Sequence, residues 1–170
     1  ANYEDALDKH YYKESIAALK GQNTANSLLR RYLHMEIDHN NIMKFFEGKR
    51  QGLSSDLIES LFLPDGKLIT TGMLKNLSSM DENGIIEVLR KNNRFDISEF
   101  EKAVDESNKI ESLDPIMMFL NKRTFHVLEK MSYLSPISAL PVVHYLALMR
   151  QEVRDIRMIV RGSVLASSCW

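Results

Sequence analysis

Apolar residues at helical spacing along two long segments limit this chain to a helical fold. In the later segment they alternate at spacings of four and three residues: Val142, Leu146, Met149, Val153, Ile156 and Val160. The earlier segment keeps the same spacing, with five of its six positions apolar or aromatic: Leu28, Tyr32, Met35, His39, Ile42 and Phe46. Such spacing keeps one edge of a helix facing its neighbours. Strands have little support, since no stretch alternates for long at period two. The sequence therefore predicts an all-α protein.

The two segments coincide when one is shifted by 114 residues, so that Ile42 falls on Ile156 and Gly48 on Gly162. This coincidence predicts helical bundle domains in a pseudo-repeat of about 114 residues. In each copy we expect the long helix to press its apolar stripe into its own bundle. We expect residues 1–50 to form a helical hairpin that ends one repeat, and residues 51–170 to form the second helical repeat domain.

Capping and turn residues predict where the helices begin and end. The predicted helices span about Asp5–Lys20, Thr24–Glu47, Ser54 or Ser55 to Phe62, Thr70–Leu77, Asp81–Lys91, Ser98–Ser107, Asp114–Tyr133 and Pro141–Arg161. Gly48 and Gly162 are predicted to end the two long helices, and Gly21 the first one. Ser98 and Glu101 have the spacing of a reciprocal capping box.

Composition narrows the class of protein. A hydrophobic fraction of 44%, a charged fraction of 26% and a net charge of -1 are typical of a globular protein. The chain has 22 Lys and Arg residues and 23 acidic residues, so no surplus of positive charge favours the binding of nucleic acid. Cys169 is the only cysteine, which excludes a disulfide framework and favours a reducing compartment. The apolar runs are too short to span a bilayer. We expect no signal peptide, and we expect this chain to be a piece of a longer protein.

No sequence pattern predicts a catalytic, cofactor or metal site. The five histidines lack partners at metal-ligand spacing, and no nucleophile elbow or dinucleotide-binding glycine motif occurs. Glu36 and Asp38 could serve as an acid and base in a small helical enzyme, but residues two apart on a helix point to different faces. His39 lies on the apolar stripe, which is typical of a core histidine. We therefore expect the chain itself to be non-catalytic.

Four arginines of the last predicted helix are the sharpest candidates for binding. They follow one another at spacings of four, three and four residues: Arg150, Arg154, Arg157 and Arg161. This spacing aligns four guanidinium groups on one helix face, which could contact acidic helices, lipid headgroups or phosphates. Glu152 and Asp155 flank this row, so a solvated charged face is the other interpretation.

A second set of candidates forms the polar side of the earlier long helix: Glu36, Asp38, Asn41 and Lys44. Asp38 is spaced to pair locally with Asn41 or Lys44 on a helix, so a structural role is one interpretation. Contact with a partner protein is the other. Neither interpretation requires a bound cofactor.

Two segments resemble a known family. One contains Glu36-Ile37-Asp38 followed by Asn41-Ile42, and the other runs from Glu152-Val153-Arg154 through Ile156-Arg157 to Gly162. Both are similar to motifs of the C subunits of archaeal-type ATP synthases, which are the counterparts of the d subunit in the vacuolar ATPase. The link at residues 49–54 and the turn at residues 63–68 also resemble that family. Ser163 departs from it, since a lysine is usual there.

The resemblance implies a fold and a role. Proteins of this family form a funnel of three similar helical domains, and this chain would cover roughly half of such a protein. It implies a non-catalytic coupling subunit that joins the central stalk to the membrane proteolipid ring and transmits torque for ion transport. Such a protein is cytoplasmic and peripheral to the membrane, and Arg154 and Arg157 match the family's motif. The alternative is a general helical protein-interaction scaffold, although scaffold repeats of about 34–47 residues are much shorter than this period.

Overall fold

The computed structural model describes residues 3–21, 23–91 and 95–167, without the side chains at positions 4, 158 and 161–167. Over these residues the chain forms helices and no strand, which confirms the predicted all-α fold. The helices are α1 (Tyr3–Ala18), α2 (Thr24–Arg50), α3 (Ser55–Leu61), α4 (Thr71–Ser79), α5 (Glu82–Arg90), α6 (Ile97–Ile110), α7 (Asp114–Leu134) and α8 (Leu140–Ser167). None of the described helices is long and apolar enough to cross a membrane. The chain divides into two compact units, Ala1–Thr124 and Phe125–Trp170.

Short polar side chains start several helices. The side chain of Asn23 accepts a hydrogen bond from the backbone N–H of Asn26 at 2.7 Å, so the cap of α2 is one residue earlier than the predicted Thr24. Ser54 accepts from the backbone N–H of Leu57 at 3.4 Å, which confirms Ser54 as one of the two predicted caps of α3. These bonds satisfy donors that a helix start otherwise leaves open.

The predicted capping box at the start of α6 is wrong. The cap is Asp96, whose carboxylate accepts from the backbone N–H of Glu99 at 3.2 Å. Ser98 therefore lies inside the first turn, where it cannot serve as the cap. Glu101 is bound to the guanidinium of Arg90 instead.

The two glycines predicted to end the long helices lie inside them. Gly48 stays helical in α2, and a Cβ there would lie 2.7 Å from Cγ1 of Ile58, so a close approach of α3 accounts for this glycine. The chain turns later, at Gly52, whose φ is +65°. Similarly, α8 continues past Gly162 to Ser167. A glycine inside a helix costs only about 1 kcal/mol relative to alanine, which packing readily offsets.

The first unit has a continuous apolar core. It draws on every helix from α2 to α7: Ile42, Phe45, Phe46, Ile58, Phe62, Ile69, Leu74, Leu77, Ile85, Leu89, Phe95, Phe100, Val104, Ile116 and Leu120. Phe46 and Phe100 meet edge to face with ring centroids 6.1 Å apart, and Phe95 and Phe100 with centroids 5.2 Å apart. This core covers the C-terminal part of the α2 stripe, where Ile42 and Phe46 have no exposed surface. The predicted burial of the α2 stripe is confirmed there.

The second unit contains the end of α7 and all of α8. Ser138 lies in the turn between them, and its hydroxyl accepts from the backbone N–H of Leu140 at 3.2 Å. Pro141 follows in the first turn of α8, as predicted, where its missing N–H leaves no bond unmade. Three apolar side chains of this unit are buried: Leu128, Met131 and Leu140.

The apolar stripe of α8 is exposed, so the prediction that it presses into its own bundle is wrong. Its six members keep between 44% and 59% of their surface open: Val142, Leu146, Met149, Val153, Ile156 and Val160. The half-buried edge of the helix carries other residues: Val143, His144, Ala147, Gln151, Arg154 and Asp155. Periodicity identifies an apolar edge but not whether a neighbour covers it. The pseudo-repeat and the division at residue 50 stay predictions.

Candidate functional site

The carboxylate of Asp38 binds the backbone of the loop that joins α3 to α4. Its Oδ2 accepts from the N–H groups of Lys67 at 3.1 Å and Leu68 at 2.9 Å, and its Oδ1 accepts from the N–H of Ile69 at 3.0 Å. A Cβ at Gly66 would lie 2.4 Å from Oδ1, so the loop needs glycine to come this close. Asp38 is 1% exposed, and burial raises its pKa, although the three backbone donors oppose the shift.

Asn41 holds the start of the same loop, one helical turn further along α2. Its Nδ2 donates to the carbonyl oxygen of Leu63 at 2.8 Å, and its Oδ1 accepts from the N–H of Leu63 at 2.7 Å. Asn41 has no exposed surface, so both bonds form out of water. Asp38 and Asn41 together fix residues 63–69 against α2, and we name this arrangement the α2 latch.

His39, the next residue after Asp38, bonds to two polar side chains of α7. Nη1 of Arg123 lies 2.8 Å from Nε2, and Oγ1 of Thr124 lies 3.0 Å from Nδ1. Because arginine can only donate, Nε2 accepts, and the ring proton lies on Nδ1 and is donated to Thr124. Burial, assisted by the charge of Arg123, lowers the pKa of His39 to about 3. The imidazole is therefore neutral at physiological pH, and the prediction of a core histidine is confirmed.

The other two predicted residues of α2 also bind groups of this chain. Glu36 accepts a hydrogen bond from the hydroxyl of Tyr32, one turn earlier. Lys44 donates to Oδ1 of Asp5 at 2.9 Å and to the carbonyl oxygen of Leu61 at 3.0 Å, which ties α1 and α3 to α2. The carboxylates of Glu36 and Asp38 thus have different partners, and the geometry gives no support to an acid–base pair. A role of these residues in partner binding stays a prediction.

The arginine row of α8 lies on a helix, as predicted, but its members differ in exposure. Arg150 and Arg157 are exposed and Arg154 is half-buried, while the side chain of Arg161 lies outside the described residues. Among the described residues, none of the ion pairs involves Arg150, Arg154 or Arg157. Asp155 accepts from Nε2 of Gln151 at 2.7 Å. The row therefore presents at least two guanidinium groups to solvent.

Sequence reasoning missed several residues that hold these sites. Arg123 and Thr124, the partners of His39, are about eighty-five residues from it in sequence. Arg50 was also missed; its Nη2 donates to the carbonyl oxygen of Ser107 at 2.8 Å and to its hydroxyl at 2.6 Å. Single polar residues on a helix carry no signal for such distant contacts. The exposure of the α8 stripe had no signal either.

The chemistry available at these sites is that of binding and positioning. In the part of the chain that the structure describes, no three His, Cys, Asp or Glu residues are grouped to hold a metal ion. The polar atoms of Asp38 and Asn41 are already bonded to the backbone of the loop. What this geometry offers to other molecules is a closely bonded first unit and an exposed helix face on the second.

Comparisons with a family model and with known proteins identify the same family. The family model described as "ATP synthase (C/AC39) subunit" matches residues 1–167. The chain is similar to the C subunit of the A-type ATP synthase of Methanosarcina acetivorans, at 29% identity over 165 residues, which is 95% of this chain and 44% of that protein. The corresponding protein of Thermococcus kodakarensis is 27% identical over 173 residues, covering 95% of this chain and 42% of that protein.

The corresponding protein of Methanocaldococcus jannaschii is 24% identical over 163 residues, again 95% of this chain but 40% of that protein. The chain thus spans less than half the length of the relatives it matches. No solved structure gives a significant match.

Proposed function

The chain belongs to the ATP synthase (C/AC39) subunit family, and from this premise we propose that it is part of a non-catalytic coupling subunit of a rotary ATP synthase or ATPase. In this role it joins the central stalk to the membrane proteolipid ring and transmits torque for ion transport. It lies at the cytoplasmic face, and other subunits provide the membrane contact. Within a funnel of three helical domains, residues 51–170 form most of one domain and residues 1–50 end the one before.

The α2 latch is the observation that best supports this role. A part that transmits torque must not yield under load, and a close-packed interior transmits strain. In the first unit, the C-terminal half of α2 is held by Lys44 to α1 and α3, by Asp38 and Asn41 to the loop before α4, and by Arg50 to α6. Buried hydrogen bonds of this kind are costly to break, because the partners cannot be rehydrated.

The surface that meets neighbouring subunits includes the arginine row of α8 in this proposal. Arg150 and Arg157 are open to solvent and Arg154 is half-buried, while Arg161 continues the spacing in the sequence. On the first unit, Glu36 and Lys44 are a separate set of proposed partner contacts beside the α2 latch, and Asp38 and Asn41 act by holding residues 63–69 against α2. An exposed guanidinium row suits recognition of carboxylates on a partner helix, since each group can bind two oxygens at once.

A capture experiment tests this proposal. The 170-residue chain is immobilised and exposed separately to purified central-stalk subunits and to the purified proteolipid ring. We expect at least one of them to be captured, and Arg154→Glu with Arg157→Glu to abolish capture. Lys122→Glu with Lys130→Glu makes the same charge change at exposed positions of α7 and is expected to leave capture intact.

Circular dichroism of both variants checks that the helices are retained. Capture of neither component, by this chain or by a longer form that contains it, contradicts the proposal. A general helical scaffold is the second candidate, because the open stripe of α8 also suits unspecific helix binding. Equal capture of unrelated helical proteins would favour that alternative.

A further inference from the structure

The open stripe of α8 has the geometry of a coiled-coil surface. Its spacings of four and three residues place every member at an a or d position of a heptad. Leu146, Val153 and Val160 fall at a positions, and two of these three are β-branched, which is favourable for pairs of helices. The half-buried edge of α8 carries b, c, e and f positions, so the a and d positions face away from most of it.

The two flanks of this stripe differ in charge. One flank, the e positions, carries the half-buried Val143 followed by Arg150 and Arg157, which are seven residues apart and both exposed. The other flank, the g positions, carries Tyr145, Glu152 and Ile159, of which two are apolar. A helix that packs on the stripe therefore meets two positive charges on one side and a mainly apolar border on the other. Carboxylates seven residues apart would match the first side.

A second copy of this chain fits these flanks less well. In a parallel pair, g positions meet e positions, so Glu152 would face Arg157 of the other copy but Arg150 would face Tyr145. In an antiparallel pair, e positions meet one another, which brings arginines together. Both arrangements leave at least one arginine on each copy without a carboxylate.

We propose that the α8 stripe docks one amphipathic helix of a partner protein, which has an apolar heptad stripe of its own and acidic residues on the flank that meets Arg150 and Arg157. This inference rests on the proposed function, since the partner is then a neighbouring subunit of the rotary assembly. It deepens that function by specifying the partner's chemistry. The apolar stripe provides the affinity and the two arginines select an acidic helix.

Two synthetic peptides of equal length provide the test. Both are 24-residue helices with Ile and Leu at a and d positions; one carries Glu at its e and g positions and the other carries Lys. Each is labelled and titrated with the 170-residue chain, and binding is followed by fluorescence anisotropy. We expect the acidic peptide to bind at least tenfold more tightly than the basic one. Arg150→Glu with Arg157→Glu should reverse this preference.

Two further variants separate the apolar and charged contributions. Val153→Lys with Ile156→Lys should weaken binding of both peptides more than tenfold without loss of helix, because both side chains are more than half exposed. Lys122→Glu with Lys130→Glu, on α7, should change neither affinity. Equal affinity for the two peptides, or a preference that survives reversal of the arginine charges, overturns the proposal.

Further measurements distinguish the other possible occupants of the stripe from the proposed helix. A concentration-dependent dimer in sedimentation that excludes the acidic peptide identifies a second copy instead. Binding to anionic phospholipid vesicles but to neither peptide identifies a membrane surface. If Val153→Cys in a Cys169→Ser background is protected from a thiol reagent in a longer form without partners, the protein itself covers the stripe. Each of these results overturns the inference, whereas failure to capture stalk or ring with the peptide preference intact contradicts only the proposed function.

Discussion

The two long helices α2 and α8 carry the same apolar pattern, but their environments are opposite. Ile42 and Ile156 occupy equivalent positions of the two stripes, yet Ile42 has no exposed surface and Ile156 is 57% exposed. Ile42 and Phe46 of the α2 stripe belong to the core that α2 to α7 form in the first unit, whereas all six members of the α8 stripe are exposed. The difference shows that a heptad pattern marks an apolar edge, and that only the tertiary structure decides whether this edge is buried.

The polar residues beside the stripes differ in the same way. Asp38 of α2 is buried and binds three backbone groups, while Glu152, at the equivalent position of α8, is exposed. His39 is buried and bonded, while its equivalent Val153 is exposed. We infer that α2 keeps the first unit stiff and that α8 provides the surface that binds a partner.

The largest expected effect comes from truncating the two equivalent isoleucines. Ile42→Ala leaves a cavity in the core and should lower the free energy of unfolding by about 2 to 5 kcal/mol. Ile156→Ala makes the same chemical change at an exposed position and should alter it by about 0.5 kcal/mol or less. Urea titration followed by circular dichroism measures both. Similar losses for the two variants would mean that the stripes are equally covered and would break the comparison.

The next largest effect concerns the acidic residues at equivalent positions. Asp38→Ala removes the acceptor of three buried backbone N–H groups and should cost about 2 to 4 kcal/mol of unfolding free energy. Glu152→Ala removes an exposed carboxylate and should change little, since surface charges contribute about 1 kcal/mol or less. Hydrogen exchange provides a local readout: the amides of Lys67, Leu68 and Ile69 should lose protection in Asp38→Ala alone. Unchanged protection there would contradict the α2 latch.

Local signals predicted much of the secondary structure. The all-α class, the cap at Ser54 and the start of α7 at Asp114 follow from residues within one or two turns of each site. The errors came where a distant residue decided. Gly48 was expected to end α2, but it is a glycine because Ile58 packs against it.

The candidate site was less accessible to sequence reasoning for the same reason. Asp38 and Asn41 were identified as polar residues of one helix, but their partners lie 22 to 31 residues away and are backbone groups, which have no sequence signature. The pairing of His39 with Arg123 spans 84 residues. Hydrophobic periodicity predicts which edge of a helix avoids water, and it does not distinguish a core from an open docking surface.

A smaller effect is expected where α2 touches α3. In Gly48→Ala the new Cβ would lie 2.7 Å from Cγ1 of Ile58, which has no exposed surface and little room to move. We expect a loss of about 1 to 3 kcal/mol in unfolding free energy from overpacking. Gly72→Ala in α4 is the matched control, because nothing lies within 4 Å of its added Cβ. It should stabilise the protein by about 0.4 to 1 kcal/mol through the unfolded chain. A loss at Gly72 or a gain at Gly48 would contradict the assigned packing.

The smallest effect is a pH dependence that only the covered stripe possesses. Burial lowers the pKa of His39 to about 3, while an unfolded histidine titrates near about 6.5. Between these values the unfolded state binds a proton that the folded state does not, so the stability contributed by neutral His39 is present above about pH 6.5 and lost as the pH falls. Burial also raises the pKa of Asp38, and this shift has the opposite sign, because a carboxyl with a raised pKa favours the folded state as the pH falls.

From pH 7.5 to pH 5.5 the chain should therefore lose up to about 1.4 kcal/mol of unfolding free energy through His39. His39→Gln keeps a side chain that can both accept from Arg123 and donate to Thr124, but cannot titrate, so this part of the loss should disappear. Val153→Gln, at the equivalent exposed position of α8, should leave the pH dependence of the parent chain intact. Urea titrations at the two pH values measure all three proteins. If His39→Gln retains the full pH dependence, the proton is taken up elsewhere, and the covered stripe is no more sensitive to acid than the open one.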